Sequence, residues 1–383
     1  MNENVLFGID IFLKQYQSLK RKNIALVCNS ASLTHDGEHS RIALIKNKFN
    51  IIKIFSPEHG FDALGEDGAF ISNMIDSITG LPIVSLYGDH LYPTEEDMDN
   101  IDIILIDLPD IGARFYTYLW TMTYVMESCE KFNKKVFVLD RPNPLAYDIN
   151  LVEGPLLNPD CASFIGRFPI PITHHCTFGE LANYFKHQYY SQLDLVIIPM
   201  KNWSRKENNG YHFTPTSPAI QHRETVYTYP GFCLFEGLNI NEGRGSEFPF
   251  SQFGAPWIDT ELLYNAIKDI HANIIIHKVS YIPTFGLYAG ELCYGLRVIP
   301  TMKNKFKSIE FIFQVIQSIH QLFPNKLEER KYPTNANKCG TGHLDKLIGI
   351  KMSFEKLIHK QINQNKHIES WKNDILPFLI YKK

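Results

Sequence analysis

Six short apolar runs, each ending abruptly in polar residues, proline or glycine, constrain this chain more than any other feature. They are Ile24–Cys28, Ile51–Phe55, Pro82–Leu86, Ile101–Ile106, Val136–Leu139 and Leu193–Pro199. Each has the length of a strand, not of a helix. Between them lie segments of helical period. Ile9, Phe12, Leu13 and Tyr16 share one helical face. His39–Lys48 and Phe178–His187 read as helices, and so does Phe115–Cys129, with Phe115, Leu119, Met122, Met126 and Cys129 in one stripe. Short buried strands alternating with helices predict an α/β fold: a Rossmann-like, doubly wound parallel sheet with helices on both faces.

The alternation stops after about 225 residues, and the 383 residues of the whole chain are more than one ordinary core accommodates. Residues 229–256 are rich in Gly, Pro and aromatics and do not repeat the strand–helix unit. Thr260–Ile270, Phe306–Leu322 and Ser353–Asn363 read as helices, and Ile274–Val279 and Leu292–Ile299 as strands of a separate antiparallel sheet. The expected division is a Rossmann-like catalytic domain over 1–228 and a smaller α+β auxiliary domain over 229–383 that completes a cleft.

Net charge is −3, which gives no electrostatic case for a nucleic acid or an anionic membrane as partner. No apolar run reaches the roughly 20 residues of a membrane span. The seven cysteines are scattered, without C-x-x-C spacing, and read as reduced thiols. The first residues lack a basic, then apolar, export signal, so cytoplasmic action is expected, with periplasmic or secreted action the alternative if a leader has been removed. No G-x-G-x-x-G follows the first strand, where Asn29-Ser30-Ala31-Ser32 stands instead. Phosphate-loop, G-x-S-x-G and H-E-x-x-H patterns are also missing, and no cofactor or catalytic metal is expected.

What remains is polar chemistry at strand ends, where open parallel sheets bind ligands. The second run stops at Ser56-Pro57, which puts Glu58 and His59 on a loop just beyond it. A loop cap is the plainer reading of Glu58. Asp107 and Asp110 end the fourth run, and Asp110 also suits a helix cap. Arg114 falls in the first turn of the next helix, where a cation opposes the dipole and needs a compensating partner. A salt bridge is the simpler compensation and an anionic ligand the other. Asp140-Arg141-Pro142-Asn143-Pro144 ends the fifth run. Phe235-Glu236-Gly237-Leu238-Asn239 and Asn241-Glu242-Gly243-Arg244-Gly245 set carboxylates, amides and a guanidinium among glycines, which also suits a linking loop with internal ion pairs. Carboxylates, amides and 45 Phe and Tyr residues together point to glycoside chemistry.

The ordered series SPEHGF, TGLPIVSLYG, IDLPDIGARFYTYLWTM, LDRPNP, VEGP, IPMKNW, YPGFCLFEGLNINEGRG, GAPWID and PTFGLYAGELC resembles the DUF1343 family of NamZ-type exo-β-N-acetylmuramidases, glycoside hydrolase family 171. The resemblance runs from Ile24 to Tyr381. It implies a Rossmann-like domain, an auxiliary domain and a cleft between them. It also implies release of terminal non-reducing-end β-N-acetylmuramic acid from peptidoglycan fragments of the MurNAc-GlcNAc type. Many relatives carry a Gly-rich continuation after SPEHGF, where this chain reads DALGEDGA. Matching positions make Glu58, His59, Tyr116 and Glu236 the expected catalytic set, with Glu58 as general acid/base. Arg114, Asp140, Asn143, Asn239, Glu242 and Arg244 are the expected substrate-binding set. Arg114 or Arg244 would take the lactyl carboxylate, and Asn143 and Asn239 the N-acetyl or hydroxyl groups. A non-hydrolytic muropeptide-binding protein and a nucleotide-sugar transferase are the rivals at this point.

Overall fold

The six runs become six parallel strands of one sheet in the computed structural model, which describes residues 4–66, 68–205, 210–364 and 366–381. In chain order the strands are β1 (Ile24–Val27), β2 (Ile51–Ser56), β3 (Met74–Ile75), β4 (Pro82–Ser85), β5 (Ile103–Ile106), β6 (Lys135–Leu139) and β7 (Leu195–Ile198), arranged β3-β4-β2-β1-β5-β6-β7. Only β3 runs antiparallel, against β4. It is a two-residue edge strand that the sequence did not suggest. Without it, the strand order is the Rossmann order, with its topological switch between β1 and β5.

The period of two along each strand feeds two separate cores. Ile24, Leu26 and Leu105 face the helices Gly8–Gln15 and Ser40–Lys46 through Ile9, Phe12 and Leu44. Ala25, Val27 and Ile104 face Tyr118–Lys131 and Phe178–Tyr189 through Leu119, Met122 and Phe185. Both faces are dry, which is why the runs showed no apolar–polar alternation.

The second layer is an antiparallel sheet of β8 (Gln252–Ala255), β9 (Ile274–Tyr281) and β10 (Cys293–Pro300), ordered β8-β10-β9. The helix Thr260–Ile267 packs on it, and the helix Ser308–Leu322 packs on Thr260–Ile267 in turn. The helix Arg223–Phe232 crosses the expected boundary at 228 and holds Pro230 in its interior. Pro ordinarily ends a helix. Here burial outweighs that, because Gly231 sits so close to Ser308 that a Cβ would lie 2.3 Å from the Ser308 carbonyl oxygen. The short helices His343–Ile348 and Ile368–Ile375 were also illegible in the sequence. The chain then returns to the first sheet, where the Tyr381 hydroxyl donates to Asp140 Oδ2 at 2.7 Å.

Candidate active site

The switch point is filled by the protein itself. Asp107, just past β5, takes Arg141 Nε at 2.5 Å and Nη2 at 2.8 Å. Its backbone carbonyl takes the Ser32 hydroxyl, and the Ser40 hydroxyl donates to Oδ2. All four residues are buried. The open space lies to one side instead, past the end of β2.

There Pro57 starts a turn that Gly60 N closes on the Pro57 carbonyl at 3.1 Å. His59 (φ 66°) and Gly60 (φ 74°) are both left-handed. For a non-glycine residue this is a strained conformation, of the kind that clusters at functional sites. Gly65 compensates, since its N–H donates to the His59 carbonyl and its carbonyl lies 2.9 Å from His59 Nδ1. A nitrogen facing a carbonyl carries the proton, so Nε2 is the acceptor of the neutral ring. Glu58 is buried, its Oε2 accepting from the Thr117 hydroxyl at 2.6 Å and its Oε1 from Gly68 N at 3.1 Å.

Thr117 stands at the N-cap of Tyr118–Lys131 but makes no side-chain cap bond. Its hydroxyl serves Glu58, at the expense of a cap contribution of about 1 kcal/mol. The helix begins at Tyr118, three residues later than its apolar stripe suggests. Arg114 N pairs with the Ile172 carbonyl at 2.7 Å and Ala113 bridges Thr173, which keeps the preceding segment out of the helix. Tyr116 and Thr117 thereby line the cavity.

The opposite wall comes from the second layer. Asn241 shapes its glycine loop, with Oδ1 accepting from Gly243 N at 2.8 Å and from the Tyr281 hydroxyl at 2.9 Å. Gly243 needs its φ of 86° for that turn. Arg244 Nη1 pairs with Glu236 Oε1 and, at 3.2 Å, with Glu242 Oε1. His343 Nε2 lies 3.2 Å from Glu236 Oε2, and Arg330 Nε donates to the Glu236 carbonyl at 2.7 Å. Burial pushes the Glu236 carboxyl up, but Arg244 and His343 outweigh it and hold the group well below its ordinary value. The two walls enclose a cavity of about 1030 Å³.

Glu58, His59, Tyr116, Glu236, Glu242 and Arg244 all line this cavity. Burial drives the Tyr116 phenol upward, and its hydroxyl donates to Thr216 Oγ1 at 2.8 Å, so it stands as a neutral ring in the wall. Four expected substrate residues lie elsewhere. Arg114 is fully buried and donates to the carbonyls of Pro155, Ile170 and Leu347, each at 2.8 Å. Asn143 Nδ2 donates to the Cys176 carbonyl at 2.8 Å. Asn239 is bound to the chain at Lys326 and Glu328. Asp140 accepts from Thr177, Gly179 and Tyr381 and ties the C-terminal segment to the sheet. Each satisfies backbone or side-chain groups of the protein, and none of the four lines the cavity. Conversely, Thr117, Arg330, Tyr332 and His343 line the cavity unannounced. The glycines at 340 and 342 beside His343 were the only sequence hint.

Burial raises the Asp140 carboxyl from 3.8 to about 6, against the pull of its three donors. A raised carboxyl favours the fold most below its unfolded value, and that contribution fades as pH climbs through the folded value. Asp140→Asn should therefore flatten the fall in Tm between about pH 4 and pH 6 that this site produces. Thermal unfolding at pH 4, 5, 6 and 7 checks it; an unchanged pH dependence would refute the assignment.

A Rossmann-like, mostly parallel sheet joined to a smaller antiparallel one, with carboxylates on both walls of an open cavity, defines a mixed α/β protein that carries the kind of groups glycosyl hydrolysis uses. The chain belongs to the NamZ family of exo-β-N-acetylmuramidases: the family's N-terminal model matches residues 24–224 and its C-terminal model residues 227–382. It is 35% identical over 380 residues to the peptidoglycan β-N-acetylmuramidase NamZ of Bacillus subtilis strain 168, covering 98% of this chain and 91% of that one. Two crystal structures of DUF1343 family proteins from Bacteroides fragilis NCTC 9343 share the fold at 27% identity. One has a TM-score of 0.86 with 99% of each chain covered, the other 0.76 with 100% of each covered.

Proposed function

We propose that this chain is an exo-acting glycoside hydrolase that removes terminal non-reducing-end β-N-acetylmuramic acid from peptidoglycan fragments of the MurNAc-GlcNAc type. The observation that carries the reading is Glu58, buried at a strand end and facing a cavity whose far wall holds Glu236, Glu242 and Arg244. Glu58 donates a proton to the leaving glycosidic oxygen. Glu236, kept ionised, stabilises positive charge that develops on the sugar ring. His59 Nε2 accepts a proton from the attacking water. Arg244, rather than Arg114, attracts the lactyl carboxylate, for which a guanidinium is suited. Tyr116 gives the sugar a flat apolar wall.

We also place the enzyme in the cytoplasm. Among the described residues all seven cysteines are free thiols, Cys339 exposed, which suits a reducing compartment. No described helix is long and apolar enough to cross a membrane.

The test is hydrolysis of para-nitrophenyl β-N-acetylmuramide beside its N-acetylglucosaminide counterpart. Release from the muramide alone is expected. Tight binding of MurNAc-GlcNAc with no turnover of either compound would make the chain a binding protein.

A further inference from the structure

The loop that carries Glu58 does not hold the carboxylate alone. Thr117 on the first domain fixes Oε2, and Gly68 N fixes Oε1 at 3.1 Å. Gly68 is in turn gripped from the second domain. Its carbonyl accepts Asn335 N at 2.7 Å, and Asn335 Nδ2 donates to the Gly88 carbonyl at 3.2 Å, just past β4. Gly68 has φ 68°, and a Cβ there would come within 2.7 Å of Thr334. The gripping segment is itself braced: Tyr332 N donates to the Gly340 carbonyl at 2.9 Å, and Thr334 and Asn337 exchange backbone bonds at 3.1 Å. Asn335 is not one of the residues that line the cavity, whereas its neighbours Thr334 and Ala336 are.

We infer that Asn335 is a positioning residue for catalysis: from the second domain it holds Gly68, and Gly68 holds the acid Glu58 in its working orientation. The inference rests on Glu58 being that acid. Its consequence is that docking the 332–340 segment and setting the catalytic carboxylate are one event. An auxiliary domain that only supplied substrate contacts would not have this effect. Without the Gly68 bond, Oε1 loses that anchor while Thr117 still holds Oε2, so the carboxyl is reoriented instead of leaving the site. Misplacement by about 1 Å costs on the order of a hundredfold in rate.

Asn335→Pro removes the N–H that grips Gly68. Asn335→Ala keeps it and removes only the contact to Gly88. On MurNAc-GlcNAc, whose leaving sugar hydroxyl needs the proton, Asn335→Pro should lower kcat by roughly ten- to a hundredfold with KM within about twofold, because no substrate contact is lost. Asn335→Ala should fall between it and the parent. In a Glu58→Gln background neither change should lower the residual rate further, because the oriented group is already gone. Losses of equal size in both backgrounds, or kcat and KM moving together, would overturn the inference. If Asn335→Pro unfolds, the decision passes to Asn335→Ala, and an undiminished kcat there overturns it as well. Should Glu58→Gln itself keep its rate, the functional reading falls first. Should Glu58→Gln abolish turnover while folded Asn335→Pro keeps its kcat, only the positioning role falls.

Discussion

Glu58→Gln should lower kcat by about two to four orders of magnitude, the usual worth of a positioned general acid. The amide keeps the size of the carboxylic acid and one acceptor oxygen. The Thr117 hydroxyl can rotate to accept from the new amide, so the buried polar contacts stay satisfied. Stability should therefore change by less than about 1 kcal/mol and KM by less than about threefold. The acid role carries a finer signature. A nitrophenolate leaves without much protonation and a sugar hydroxyl does not, so the loss should be larger on MurNAc-GlcNAc than on the nitrophenyl glycoside. Equal losses on both substrates would make Glu58 a nucleophile or a charge stabiliser instead of an acid. A near-normal rate on both would remove it from the chemistry.

The legibility of this site followed a physical rule. Strand ends announce themselves locally: Ser56-Pro57 stops β2 by removing a ladder donor, and the residues that follow must leave the sheet. Glu58 and His59 were readable for that reason, as was the Rossmann-like sheet as a whole. What a strand-end polar residue then does is decided by partners far away in sequence. Asp140 and Asn143 have the same local setting as Glu58, yet the helix N-terminus at Gly179, the Cys176 carbonyl and the returning Tyr381 take up their hydrogen bonds. Tyr381 is 241 positions from Asp140, and His343 is 107 from Glu236. No pattern of local period or punctuation encodes such pairings. The helix Arg223–Phe232 shows the same limit, since Pro230 reads as a stop until the helix Ser308–Leu322 is packed against it.

Arg114 is the position where this limit matters most, and Arg114→Met separates the two readings. The dipole argument gave the cation an anionic partner, whereas the fold gives it three carbonyl oxygens. Pro155 and Ile170 belong to the first domain and Leu347 to the second, so one guanidinium pins the domains together. Gly349 makes room for it, because a Cβ there would lie 2.6 Å from Nη2. Burial lowers the guanidinium to about 9, yet at neutral pH it stays charged and can donate to all three oxygens. Methionine fills most of the aliphatic volume and donates nothing. Each orphaned carbonyl costs about 1–3 kcal/mol, and relief of the buried charge offsets part of the sum, leaving a loss of about 3–5 kcal/mol. For a chain of 383 residues that lowers Tm by roughly 4–6 °C. Activity of the molecules that remain folded should keep its KM within about twofold, and Arg114→Lys should recover little, since an ammonium cannot span three carbonyls. Thermal unfolding and steady-state kinetics on the same preparation decide it. A tenfold rise in KM at unchanged Tm would return Arg114 to the substrate; a collapse of Tm at unchanged KM makes it the pin between the two domains.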